Sequence, residues 1–330
     1  MNFSFIIPVY NRPEETKELL ESLAVQTQKD FEVVIIEDGS KETSEEVVKS
    51  FSSKLTINYL FKENTGPGDS RNYGMRKASG DYFIILDSDC ILPEFYFENV
   101  KKALNENYVD CFGGSDNALS SFSDVQKAIN YAMTSFLTTG GVRGGSEKLE
   151  KFQPRSFNMG ISKKAFEASN GFGNIHPGED PDLTIRLWIK GFKTRLIRDA
   201  FVYHKRRIDW NKFYTQVNKF GKARPILDSW HPEFTKLTFW FPTLFLFGIL
   251  LAIILMFFKI YLPFLALLAY FLTLFIDGAI KNKSFKVGIL SIVATIIQFY
   301  GYGMGFLLST IKIKWMKQKP QEAFPELFFK

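Results

Sequence analysis

The chain has 330 residues, 46% of them hydrophobic, and a formal net charge of +6 at pH 7, enough for one full α/β domain plus a smaller second part. The positive excess does not form a nucleic-acid patch: Lys205, Arg206, Arg207, Lys219, Lys222 and Arg224 precede one long apolar run, and Lys281, Lys283 and Lys286 precede another. That is the placement of cytoplasmic flanks facing anionic lipid, so a bilayer and not a nucleic acid is the expected partner.

Residues 3–9 read as a buried strand, and Tyr10-Asn11-Arg12-Pro13 as a turn into a helix with Leu19, Leu20 and Leu23 on one face. A strand over 31–36, a helix over 43–51 and a strand over 55–60 follow. The breaker-rich stretch 64–68 then leads into a helix carrying Arg71, Asn72 and Arg76. Gly80 restarts the chain as the apolar run Tyr82-Phe83-Ile84-Ile85-Leu86, closed by Asp87-Ser88-Asp89. A helix over 93–105 and strands over 109–113 and 156–162 come next. A helix over 181–190 ends at Gly191, and 200–203 is strand-like. Strands alternating with helices at this spacing predict an α/β fold with a doubly wound, mostly parallel sheet. The glycine-rich stretch 139–145 superficially resembles a dinucleotide fingerprint, but no strand feeds it and no helix follows; it reads as a mobile loop closing over a site. Cys90 and Cys111 have no metal-type spacing and fit a reducing compartment and small core positions.

Further along, Trp210, Phe213, Val217 and Phe220 recur at helical spacing beside Lys212, Lys219 and Lys222. This is a helix on a membrane surface or an ordinary core-facing one. Three apolar stretches follow, at 237–258, 261–276 and 287–310, against the roughly 20 residues needed to cross a bilayer. With no basic leader before the first strand, the N-terminal domain is expected on the cytoplasmic side of a cell inner membrane, in a multi-pass protein. Three crossings would then put Lys312, Lys314, Lys317 and Lys319 outside, against the positive-inside tendency. Either one stretch is re-entrant or interfacial, or the tail breaks the rule.

Asp87 and Asp89 stand at the carboxyl end of a buried parallel strand, where open α/β sheets hold ligands. Such a pair suits Mg²⁺ or Mn²⁺, which takes one or two protein carboxylates plus phosphate oxygens. The bland alternative is a solvated turn. Glu37-Asp38-Gly39-Ser40 closes the second strand at the same edge, where a carboxylate could accept a pyrimidine N–H, bond a ribose hydroxyl or cap a helix. Acids gathered at one edge repel unless a ligand or metal compensates them. In Pro177-Gly178-Glu179-Asp180-Pro181-Asp182 the helix macrodipole accounts for the acids, and Asp180 is also placed to take a proton from an attacking hydroxyl. His204 is a satisfied histidine or a third metal ligand.

Taken in order, Phe5-Ile6-Ile7-Pro8-Val9-Tyr10-Asn11-Arg12, Val33-Val34-Ile35-Ile36-Glu37-Asp38-Gly39-Ser40, the 66–74 stretch with Arg71-Asn72, Gly80-Asp81-Tyr82 through Asp89, and Gly178-Glu179-Asp180 resemble the signatures of family 2 glycosyltransferases of the GT-A fold. The resemblance covers roughly the first two thirds of the chain, and the apolar remainder is similar to that of membrane-bound members. It implies that Pro8, Tyr10 and Asp38 contact the nucleoside, that Arg12 belongs to the same nucleotide-sugar site, and that Arg71 lies near the base or diphosphate. It further implies that Asp87 faces the ribose or sugar and shares a Mn²⁺ or Mg²⁺ ion with Asp89, with His204 as the candidate third ligand. Asp180 would be the base of an inverting displacement, Glu179 would orient the acceptor, and Asn158 would line the sugar pocket. Residues 216–224 only loosely resemble the Q-x-x-R-W motif of processive synthases, since no Trp follows Arg224, which sets polymer synthesis aside.

The expected organisation is a GT-A catalytic domain over 1–208, an amphipathic interfacial helix and linker over 209–234, about three transmembrane helices over 235–312 and a basic tail over 313–330. The expected function is metal-dependent, inverting transfer of a sugar from a nucleotide-diphosphate sugar to the hydroxyl of a lipid-linked or glycan acceptor in surface polysaccharide biosynthesis. Two alternatives stand beside it: a polyprenyl-phosphate glycosyltransferase making a lipid-linked monosaccharide, and a non-catalytic membrane scaffold retaining the fold. Sugar, base and oligomeric state stay open.

Overall fold

A strand that is apolar on both faces must be covered on both faces. In a computed structural model describing residues 1–117, 122–140, 152–204 and 209–329, without the side chains of Asp116 and His204, this is how the N-terminal half is built. Strands β1 (Phe3–Val9), β2 (Phe31–Asp38), β3 (Ile57–Lys62) and β4 (Tyr82–Leu86) are mutually parallel and lie in the order β3-β2-β1-β4. Phe5, Ile7, Val33, Ile35, Ile84 and Leu86 pack on one side with Leu19, Leu20 and Leu23 of α1 (Pro13–Ala24) and Phe97 and Val100 of α4 (Tyr96–Glu106). Ile6, Val34, Ile36, Phe83 and Ile85 pack on the other with Met75 of α3 (Pro67–Lys77), Phe166 of α7 (Lys163–Ser169) and Leu183 of α8 (Glu179–Ile189). The two-residue alternation thus fills two cores from one apolar run. The short α2 (Glu45–Ser50) joins β2 to β3.

Past β4 the sheet becomes mixed. β7 (Asn158–Ser162) runs antiparallel between β4 and β6 (Cys111–Asn117), β6 pairs in parallel with β8 (Thr194–His204), and the two-residue β5 (Cys90–Ile91) closes the edge. β6 runs on to 117 and β8 begins at 194, both longer than their sequence signals. Helix α8 starts two residues before the expected 181, because proline is tolerated in a first turn whose N–H groups have no intrahelical partner. It ends as expected: Gly191 has φ +82°, and the N–H of Phe192 donates to Leu187 O at 3.0 Å. Both cysteines are buried, and they form no disulfide.

The described residues fall into two compact units, one within Met1–Leu119, Gly145–Lys205 and Phe329–Lys330, the other within Ser120–Gly144 and Arg206–Phe328. The second holds α5 (Asp124–Thr134), α6 (Phe136–Thr139), α9 (Trp210–Trp230), α10 (Phe241–Phe257), α11 (Leu262–Asn282) and α12 (Phe285–Ser309). Helix α5 was not legible in the sequence: its Ala128, Ile129, Ala132 and Met133 bury against Phe213, Val217, Val287 and Ala294. That cluster also shows the apolar face of α9 covered by protein. Helix α11 continues through Asp277, whose carboxylate accepts from Tyr131 Oη at 2.7 Å and Lys281 Nζ at 2.9 Å. Three helical stretches, Leu237–Phe257, Leu262–Asn282 and Phe285–Trp315, are long and apolar enough to cross a membrane.

Candidate active site

The parallel half of the sheet delivers its acids to one edge, and arginines meet them there. Asp89 accepts from Arg12 Nη1 at 2.5 Å, and Asp87 from Arg71 Nη2 at 2.8 Å. Arg71, only 3% exposed, also donates to Glu179 at 3.3 Å and sits over the Phe172 ring at 5.4 Å. Glu179 accepts from the Gly178 N–H at 2.9 Å and lies 2.8 Å from His176 Nδ1. Glu179, Arg71 and Asp87 therefore form a line of alternating charge, with His176 beside Glu179, which is how like charges at one edge are tolerated. Burial acts to discharge Arg71, but Asp87 and Glu179 outweigh it and raise its pKa.

Glu179 and Asp180, neighbours in the first turn of α8, are driven in opposite directions. Burial pushes both upward. For Glu179 the charges of His176 and Arg71 overcome it and hold the carboxyl down at about 2. For Asp180 the negative Glu179 adds to burial, and the group rises to about 6 despite Arg71 and Arg155. Two adjacent carboxyls pushed apart give one permanent anion and one group poised to exchange a proton near neutrality. Among the described residues Asp180 Oδ1 and Arg71 Nε are buried without a hydrogen-bond partner. Unsatisfied buried atoms are costly, and here an acceptor and a donor belong to one site.

Other expected residues separate. Tyr10 is 52% exposed beyond β1, and Pro8 is half-buried within it. Arg12, expected in the nucleotide-sugar site, is bound to the acid expected to hold the metal. Asp38 accepts from Lys62 Nζ at 2.6 Å and from the N–H groups of Thr65 and Gly66 at 3.0 Å, so it shapes the turn into α3. A carboxylate offers about four acceptor positions, which leaves one for a ligand. Glu37 accepts from the N–H of Ser44, the N-cap of α2, and serves that helix start. Asn158, expected to line a sugar pocket, is fully buried, accepts from Tyr96 Oη of α4 at 2.6 Å and donates to Ala200 O of β8 at 2.8 Å. His204 pairs through its backbone with Cys90, while its side chain lies outside the described residues, as does the glycine-rich stretch beyond Gly140.

No group of three His, Cys, Asp or Glu side chains able to hold a metal converges among the described residues. Asp87 and Asp89 alone fit a hard cation that draws its remaining oxygens from a phosphate-bearing ligand.

Sequence reasoning missed three residues here. His176, three positions before Glu179, carried a signal in its spacing. Asn72 accepts from the Phe172 N–H and donates to its C=O, both at 2.8 Å; it sits beside Arg71 in a motif already noted. Phe329 donates its N–H to Asn174 O at 3.3 Å and lies 5.8 Å from the His176 ring, against Gly66, where any Cβ would collide with it. Nothing local marks that contact.

A mostly parallel curled sheet with paired acids at its carboxyl edge is a GT-A type architecture. Residues 4–167 match the family described as Glycosyl transferase family 2, and residues 150–277 the one described as Glycosyl transferase family group 2. The chain belongs to the family 2 glycosyltransferases. An "Uncharacterized glycosyltransferase" of Rickettsia bellii is 42% identical over 104 residues, covering 32% of this chain and 15% of that protein, so the match spans a small part of the relative's length. Among solved structures, the mannosyltransferase PcManGT from Pyrobaculum calidifontis in complex with GDP-Man and Mn²⁺ has a TM-score of 0.54 at 15% identity, over 68% of this chain and 63% of that one. TarS 1-349 of S. aureus in complex with UDP has a TM-score of 0.52 at 18% identity, over 96% of this chain and 92% of that one. At those identities the likeness is one of fold.

Proposed function

We propose that this chain transfers a sugar from a nucleotide-diphosphate sugar to an acceptor hydroxyl with inversion at the sugar carbon, and that Asp180 is the base. The observation that carries this reading is the unpartnered, buried Oδ1 of Asp180 beside a Glu179 held by Arg71, His176 and the Gly178 N–H. With its pKa near 6 Asp180 is mostly ionised at neutral pH, so it accepts the hydroxyl proton as the oxygen attacks. Glu179 stays an anion throughout and holds Arg71 and His176 in place. Arg71, fixed between Asp87 and Glu179 with its Nε unpartnered, would supply positive charge to a diphosphate. Asp87 and Asp89 would hold a divalent cation, which supplies charge neutralisation for the departing nucleoside diphosphate. Mn²⁺ in the PcManGT structure and UDP in the TarS structure support the donor class and the cation, and neither names this chain's sugar.

The three long apolar helices support a membrane-bound enzyme, and the basic residues flanking them support a cytoplasmic placement at an inner membrane. A tether of this kind raises the effective concentration of lipid-borne substrates, which favours a lipid-linked saccharide as acceptor in surface glycan synthesis. The test is thermal unfolding of the purified full chain with UDP- and GDP-sugars, with and without Mn²⁺ or Mg²⁺. A cognate donor stabilises the folded state by mass action, and Asp89→Asn should abolish the metal-dependent part of that shift. A shift that is the same without metal removes the cation from the account, and no shift with any nucleotide sugar removes the donor.

A further inference from the structure

Hydropathy counts three crossings, and three crossings would separate the two ends of the helical stretch by a bilayer. The contacts within the helical unit bring those ends together. Asp228 of α9, whose side chain is 3% exposed, lies 3.5 Å from Lys314, just past α12, and Lys222 of α9 pairs with Glu326 of the tail at 2.9 Å. Helix α9 precedes α10 and the tail follows α12, so an even number of crossings lies between them.

The helix that stays out is identified by its neighbours. Helix α9 follows α12 closely: a side chain at Gly301 would collide with Val217, one at Gly305 with the backbone of Asn218, and one at Gly221 with the backbone of Tyr302. Asn218 Nδ2 donates to Gly301 O at 3.0 Å. Small residues allow this backbone approach. The other end of α12 is held by α5, with Lys286 paired to Asp124 at 3.0 Å and Val287 and Ala294 in the cluster of Ala128 and Ile129. If α12 crossed, it would carry into hydrocarbon a helix bearing Lys212, Lys219, Lys222, Arg224 and Asp228, each expensive there. The apolar window of α12 is 44% buried by protein, against 11% for those of α10 and α11. Those two present Leu244, Phe247, Leu251, Leu265, Leu268 and Leu272 outward, the surface that lipid covers.

We propose that α12 does not cross the bilayer, that only the α10–α11 hairpin enters its hydrocarbon core, and that α9, the α11–α12 turn and the basic tail share one side. The proposal rests on the membrane-bound reading above and changes its topology. It also gathers Lys281, Lys283, Lys286, Lys312, Lys314, Lys317 and Lys319 on the side of Lys219 and Lys222, which restores the positive-inside distribution.

The test places single cysteines in the full chain at three exposed positions, Ser229→Cys, Lys283→Cys and Lys317→Cys, against the buried Cys90 and Cys111. Each variant is treated with a membrane-impermeant maleimide in sealed spheroplasts and again after the membrane is opened. The expected result is that all three behave alike, protected while sealed and labelled once opened. Labelling of the 317 or the 283 site on the opposite side from the 229 site overturns the proposal while leaving the membrane reading intact. A chain released from membranes by alkaline carbonate overturns both.

Discussion

Glu179 and Asp180 are adjacent carboxyls in one helical turn, and their surroundings push their pKa values in opposite directions. Their opposite displacements set opposite stability effects. Glu179, held well below its usual 4.5, contributes stability that is present above that value and lost as pH falls toward about 2. Asp180, raised above 3.8, costs stability while ionised, and the cost is relieved as pH falls through about 6. Because the proposed base, Asp180, would work only when ionised, kcat/KM should rise with pH along a limb centred near 6, read from initial rates between pH 4.5 and 8. Arg71 pulls the Asp180 pKa down, so Arg71→Met should shift that limb to higher pH. The same variant leaves Glu179 with one charged partner fewer in a buried site, a loss on the order of 3 kcal/mol in denaturant unfolding.

At the level of elements, the edge is held by side chains that bond backbone. Asn72 of α3 satisfies both the N–H and the C=O of Phe172, and Gly171, at φ +68°, has Asn72 where a Cβ would stand. Asn72→Ala would leave two buried backbone groups unpaired and should cost about 2 kcal/mol, measured as a lowered denaturation midpoint with unchanged slope. Strands β1 to β4 were legible because each carries a short apolar stretch between breakers. The antiparallel insertion of β7 was not, since a buried strand's residues do not encode the direction of its neighbours. β8 was read short because Arg195, Arg198 and Asp199 interrupt its apolar residues. In the site, the Asp-x-Asp pair, Arg71 and the Glu179-Asp180 turn could be read from local spacing. That Asp38 is committed to the Thr65 and Gly66 amides, and Asn158 to Tyr96, depends on partners 27, 28 and 62 residues away.

For the whole molecule, an apolar helix of sufficient length is not by itself a crossing. Helix α12 meets the hydropathy criterion, yet two of the helices packed on it, α9 and α5, carry charge, and the composition of one segment cannot report what packs on it. In the proposed function the acids of the sheet would hold a nucleotide sugar, and the α10–α11 hairpin would keep the enzyme near lipid-borne acceptors. The most direct test of that account is sugar transfer by full-length chain in membranes, measured with Asp180→Asn beside the unaltered protein over a panel of UDP- and GDP-sugars, with donor binding followed in parallel. Asp180→Asn should bind donor as the unaltered chain does and lose at least about 100-fold in transfer rate. Transfer at the full rate by that variant would contradict the assignment of the base, and with it the mechanism proposed for this edge of the sheet.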